Sequence, residues 1–255
     1  MTRILLFDTE TNGLPSNRSA PPSEFRSYPA ILQLSWTIIE WDSIAKRVTT
    51  VEHRDFAPPL APEIVWDVGA ERIHKIRESD ARSGDGTTVS SMLIALTKAL
   101  QSVNCIVAHN LPFDKTVVQA AGFREKLPQV WPTVGTGFDP TNGTGLHPTV
   151  GTGFDPTNGT GLHPTEGTGF DPTEGTKIEL CTMSHMRDIM KLPASAKQLQ
   201  YNHLSQYKYP RLGELYNWLF NSEFIGGEHS SRADVTCLEE CLTEMLFREL
   251  ILGQI

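Results

Sequence analysis

Cysteine is scarce in this chain. Cys105, Cys181, Cys237 and Cys241 are the only four in 255 residues, and no two form a CxxC pair. That spacing argues against a zinc site and against a disulfide framework. It predicts free thiols in a reducing compartment. Long apolar runs are missing too: nothing approaches the roughly 20 residues that span a bilayer, so no membrane partner is expected. Met1-Thr2-Arg3 leads directly into an apolar run with no signal-peptide pattern, and the expectation is a soluble cytoplasmic protein. Basic residues are outnumbered, 22 Lys and Arg against 30 Asp and Glu, for a net charge of −8. This shortage argues against a broad electrostatic grip on nucleic acid. It leaves room for an enzyme whose acids collect at a metal site.

Lys and Arg are absent altogether from Pro132–Thr176, where the chain repeats an eight-residue block, PTVGTGFD alternating with PTNGTGLH, and ends in a truncated PTEGT. The stretch holds 11 of the 20 glycines and six of the 17 prolines. Its acids, Asp139, Asp155, Glu166, Asp171 and Glu174, carry −5 of the −8. A Gly/Pro/Thr repeat buries too little apolar surface to offset chain entropy, so the composition predicts disorder. A calcium-binding β-helix would need a nine-residue period and a GGxGxD core. Here the period is eight, and His147 and His163 replace the Asp in alternate blocks. Residues 132–176 are therefore read as an insertion, and 1–131 with 177–255 as the folded domain.

Outside the insertion the order of elements is informative. Arg3–Asp8, Ile31–Trp41 and Arg47–Phe56 read as strands, the latter two rich in β-branched and aromatic residues. Helical spacing of Met92, Leu93, Leu96, Ala99, Leu100 and Val103 predicts a helix over Val89–Val103. Cys105–Ala108 reads as a short buried strand, Asp114–Ala121 as a helix stopped by Gly122, and Lys177–Cys181 as the next strand. Leu212, Leu215 and Leu219 mark another helix, and a last one starts near Ala233. Three strands followed by alternating helices and strands predict an α/β fold, a mixed sheet flanked by helices.

Three acidic signals stand out. In "FDTETNGLP", Phe7–Pro15, Asp8 and Glu10 are two apart at the end of the first strand and so point to one face. Like charges that close raise each other's pKa unless a cation lies between them. A polar turn closing a strand is the plain alternative, and the stretch alone leaves both open. In "AHNLPFD", Asp114 lies near a helix N-terminus, which favours a carboxylate in any protein. In "HSSRAD", Ser230 or Ser231 is a natural helix cap, with Asp234 in the first turn. Singly, none of the three is decisive.

In this order and spacing, with His229 five residues before Asp234, the motifs resemble those of the DEDDh exonuclease superfamily, and within it the proofreading (epsilon) subunit of bacterial DNA polymerase III. Weaker similarities are Gln-Leu-Ser-Trp at Gln33–Trp36, Ile73-His74-Lys75-Ile76, and Cys181-Thr182 opening a helix. The sister branch has Tyr four residues before the last Asp, where this chain has Ser230. Two departures are Lys75, where the family often has Gly, and the repeat insertion.

The resemblance implies a ribonuclease H-like fold with a five-stranded mixed sheet. It implies 3′→5′ cleavage at nucleic-acid 3′ ends with two divalent cations, Mg²⁺ or Mn²⁺, which suit carboxylate oxygens. Asp8, Glu10, Asp114 and Asp234 would be the metal ligands and His229 the general base. Thr11, Gly13, Leu14, His74, Asn110 and Phe113 would meet the terminal nucleotide. Single-stranded DNA is the expected partner, favoured over RNA, and a DNA polymerase is a further one. The rivals are an exoribonuclease with the same chemistry and an inactive binding module in which the repeat is the working part.

Overall fold

The structure, a computed structural model, describes residues 1–132, 177–195, 198–199, 206–226, 230–251 and 253–255. The disorder expected of the repeat and the role expected of His229 concern residues outside this set. The unit described below comprises Met1–Pro132 and Lys177–Ile255.

Five strands form one mixed sheet in the order β3-β2-β1-β4-β5: β1 Thr2–Thr11, β2 Ile31–Asp42, β3 Arg47–Phe56, β4 Cys105–Ala108 and β5 Ile178–Cys181. β2 is antiparallel to β1 and β3, while β4 is parallel to β1 and β5 to β4. The helices are α1 Val68–His74, α2 Glu78–Ser83, α3 Val89–Gln101, α4 Leu111–Arg124, α5 Thr182–Met190, α6 Leu212–Phe220 and α7 Ser231–Phe247. Helices cover both faces of β1, which explains its unbroken apolar run in place of alternation. Leu5 and Phe7 pack with residues of α3 and α4, Ile4 and Leu6 with residues of α5, α6 and α7. No described helix is long and apolar enough to cross a membrane.

The mixed α/β sheet follows the expected order, with three differences. β1 does not stop at Asp8. It continues to Thr11 because the Gln33–Ser35 stretch of β2 pairs with Asp8, Thr9 and Glu10, and the register slips only between Glu10 and Thr11. Gly122 does not end α4, which runs on to Arg124. A Cβ there would lie 2.6 Å from the Leu127 carbonyl oxygen and from a Val130 methyl, so the glycine admits a returning segment. α1 and α2 have no counterpart in the apolar periodicity. α1 starts because the Asp67 carboxylate accepts from Gly69 N and Ala70 N.

The described chain on either side of residues 133–176 is tied to the sheet. Trp131 is 5% exposed, packs on Phe7 with ring centroids 5.6 Å apart, and donates from Nε1 to Glu179 Oε1 at 2.8 Å. Lys115 Nζ bonds both oxygens of Glu179 and lies 5.5 Å over the Trp131 ring. Lys177 Nζ donates to the Gln101 and Val103 carbonyls beside the start of β4.

Candidate active site

Three segments far apart in sequence deliver four carboxylates to one end of the sheet. Asp8 and Glu10 share the β1 face that carries Ile4 and Leu6, against which α7 packs. Asp234 lies in the first turn of α7, where the helix dipole favours negative charge. The start of α7 is held twice: Ser230 accepts from Ala233 N at 3.3 Å, and Ser231 Oγ shares a buried 2.8 Å hydrogen bond with Ser35 Oγ. Ser35 is the cross-strand partner of Asp8. As a result Asp8, Glu10 and Asp234 each offer an oxygen, all within 4.8 Å of one another, the one such group among the described residues. Asp114, in the first turn of α4, comes from the other face. It stands outside this group of three, and its Oδ1 accepts from Thr9 N and Thr9 Oγ1.

The cluster is electrostatically strained. Burial, then Asp114, Asp234 and Glu10 in turn, push the Asp8 carboxyl well above the usual carboxylate range. Burial and then the Asp234 and Asp114 charges raise Glu10 to about 8. Burial raises Asp114 to about 7 against the pull of the Thr9 hydrogen bonds. An all-oxygen donor set of mutually repelling carboxylates fits a hard divalent cation, which would relieve each shift.

His109, at the end of β4, has a different role. Its Nε2 faces the Pro210 carbonyl at 2.9 Å and must donate, so Nδ1 accepts from Thr182 Oγ1 at 3.0 Å. Burial pushes its pKa down to about 4, which keeps the ring neutral. It ties β4 to α5 and to the segment entering α6. Between these elements lies a cleft of about 660 Å³ whose lining includes Asp8, Asp234, Asn110, Arg211, Trp218 and Phe224.

No protein-family model matches the sequence, and no curated protein matches it. Solved structures do match. The zinc-bound complex of Escherichia coli exonuclease I with single-stranded DNA superposes with a TM-score of 0.60 at 15% identity, covering 98% of this chain and 41% of that one. A further structure of exonuclease I gives 0.60 at 16% identity over 98% and 42%. Escherichia coli exonuclease I with a dT13 oligonucleotide gives 0.58 at 17% over 98% and 43%. The chain shares the fold of exonuclease I. It spans about two fifths of the length of those exonuclease I chains.

On this exonuclease I-like fold the expected substrate residues separate into two groups. Among the described residues, Asn110 lines the cleft, whereas Thr11, Gly13, Leu14, His74 and Phe113 do not. Thr11 is buried and donates to the Gly13 carbonyl. A Cβ on Gly13 would come within 3.2 Å of Asp67 Oδ2, so this glycine lets the exit of β1 pass the cap of α1. Leu14 is 68% exposed, and Phe113 packs partly against the α4 side of the core. His74 is buried beside Trp66, and its Nδ1 accepts from Ile76 N at 3.0 Å. Lys75 has φ 60°, a left-handed conformation that favours glycine, which accounts for the residue type it replaces in the motif. Sequence reasoning gave no role to Thr9, Ser35, His109, Arg211 and Trp218, although Thr9, Ser35 and His109 lie inside the stretches it singled out. Ser231 it offered as a cap, and its hydrogen bond to Ser35 came only with the fold.

These shifts predict the pH dependence of stability. Glu10 and Asp114 titrate above their ordinary values when folded, so the folded chain holds protons that the unfolded chain has released. Their contribution therefore turns against folding as pH rises from the ordinary glutamate value of 4.5 to about 8. The melting temperature of metal-free protein is expected to fall by several degrees between about pH 5 and about pH 8. Mg²⁺ should recover the loss at the upper end, with release of protons. A flat or rising metal-free profile in thermal melts would remove the electrostatic case for a cation site.

Proposed function

We propose that this chain is a metal-dependent 3′→5′ exonuclease that hydrolyses phosphodiester bonds at the 3′ ends of single-stranded DNA. The observation that carries this reading is the convergence of Asp8, Glu10 and Asp234 within 4.8 Å, with Asp114 close enough to raise the Asp8 carboxyl. These four would hold two divalent cations, Mg²⁺ or Mn²⁺. Such a pair supplies an acidified water and stabilises both attacking and leaving oxygens of an in-line displacement. His229 accepts the proton of the attacking water, since imidazole titrates near neutral pH. In the cleft, Arg211 offers its guanidinium to a phosphate, and Trp218, 39% exposed, offers a face on which a base can stack. The motif resemblance assigns Thr11, Gly13, Leu14, His74, Asn110 and Phe113 to the terminal nucleotide; of these Asn110 lines the cleft.

DNA is favoured because the exonuclease I structures that share the fold hold single-stranded DNA. A proofreading role beside a DNA polymerase rests on the motif resemblance to the epsilon subunit, and a cytoplasmic location on the lack of a signal-peptide pattern and of paired cysteines. The deciding experiment uses 5′-end-labelled single-stranded DNA and RNA of one sequence with Mg²⁺. The expected result is a ladder of products shortened from the 3′ end, faster on DNA, that disappears in EDTA and returns with Mg²⁺ or Mn²⁺. Cleavage that survives thorough chelation would end the two-cation reading. Faster shortening of RNA would make the chain an exoribonuclease, and no cleavage of either would leave a binding module.

A further inference from the structure

Thr9 sits between Asp8 and Glu10, and the alternation of a strand turns its side chain to the opposite face, toward α4. There it meets Asp114. Thr9 Oγ1 donates to Asp114 Oδ1 at 2.7 Å, and the Thr9 backbone N–H donates to the same oxygen at 3.2 Å. Thr9 is 6% exposed and Asp114 3%, so bulk water is not at hand to replace either bond.

The topology explains why the backbone donor is available. β1 pairs with β4 only at Ile4, Leu5 and Leu6, and β4 ends at Ala108. Past that point the β4 side of β1 has no strand, and the Asp114 carboxylate takes the place of a ladder carbonyl. The consequence is geometric. An aspartate carboxylate turns easily about its last torsion, and two donors on one oxygen fix its plane. Both donors come from the strand that carries Asp8 and Glu10, so the group arriving from α4 is held in register with the two from β1. Oδ2 bears neither of these bonds.

We propose that Thr9 is a positioning residue: its hydroxyl orients Asp114 for cation binding alongside Asp8. The proposal rests on the exonuclease reading above and assigns a role to a residue that touches neither substrate nor cation. The rival is that the hydroxyl merely satisfies a buried carboxylate, in which case its loss would lower stability and leave cation affinity alone.

Two substitutions in the full-length chain separate these. Thr9→Val keeps the shape and β-branching suited to a strand and removes the hydroxyl. Thr9→Ser keeps the hydroxyl. Mn²⁺ binding is measured by calorimetry and by electron paramagnetic resonance, and kcat and KM on end-labelled single-stranded DNA in parallel. Loss of a residue that orients a ligand typically costs about 10–100-fold. Thr9→Val is expected to weaken Mn²⁺ binding and lower kcat within that range, with KM for DNA nearly unchanged. Thr9→Ser should stay within about threefold of wild type by the same reasoning. If Thr9→Val does not fold, Thr9→Ala carries the same comparison. A hydroxyl-free variant that binds Mn²⁺ as wild type does, or a Thr9→Ser chain that falls as far, overturns the role of Thr9 alone. A wild-type chain that binds no Mn²⁺ overturns the exonuclease reading and this inference with it.

Discussion

Asp8→Asn is expected to abolish turnover while raising the melting temperature of the metal-free protein. The Asp8 carboxyl is raised by burial and by Asp114, Asp234 and Glu10. Asparagine has nearly the same shape and cannot ionise, so the cost of keeping the Asp8 carboxyl protonated in the folded site disappears with no cavity created. The relief is on the order of 1 kcal/mol or more at a pH near 8, where the neighbours ionise, equivalent to about 2–4 °C for a chain of this size. Activity should move the other way. A bound cation supplies several kcal/mol of transition-state stabilisation, and each 1.4 kcal/mol or so is tenfold in rate. Loss of a carboxylate that would hold the cation should therefore cost on the order of 10³-fold or more. With Mg²⁺ present the stability order should reverse, because only the wild type gains from the ion. Thermal melts in EDTA and in Mg²⁺, beside single-turnover cleavage, read both effects. An Asp8→Asn chain that melts lower without metal, or keeps activity within tenfold, would show that these carboxylates are not a strained cation site.

His229→Ala should lower kcat by about 10²–10⁴ with the fold intact, the range expected for loss of a general base. His229 stands just ahead of Ser230, whose cap and whose neighbour Ser231 anchor α7 beside β2. The four described histidines are committed elsewhere: His109 to Thr182 and Pro210, His53 to Thr37 and Asp55, His74 to the backbone of Ile76, and His185 to the Leu250 carbonyl and Gln254. The acidic limb of the wild-type pH–rate profile, near the ordinary imidazole value of about 6.5, should vanish in the variant, and added imidazole should return part of the rate. Activity within a few-fold of wild type at all pH values would make His229 a loop residue and leave water activation to the carboxylates.

What the sequence alone determined are features set by neighbours a few positions apart. The Ile4–Phe7 run, the two-residue spacing of Asp8 and Glu10, the apolar stripe of α3 and the serine cap of α7 are such features. Periodicity and capping act within one turn or one pleat, so they survive in a string of letters. The order of the five strands and of α3, α4, α6 and α7 followed from the same signals, whereas α1 and α2 did not. Tertiary structure decided where those elements stop and what the polar groups do. β1 continues past Asp8 only because β2 pairs with it. Gly122 lies inside α4 because Val130 must pass close by. Asp114 is held by Thr9, 105 positions away, and His109 by Thr182 and Pro210. Each of these is a hydrogen bond or a close approach between segments that only folding brings together. Burial then sets the charge state: the same carboxyl that would ionise near pH 4 in an open chain holds its proton among three others. The sequence supplies the four acids, and the fold makes them a site by placing them in one another's field.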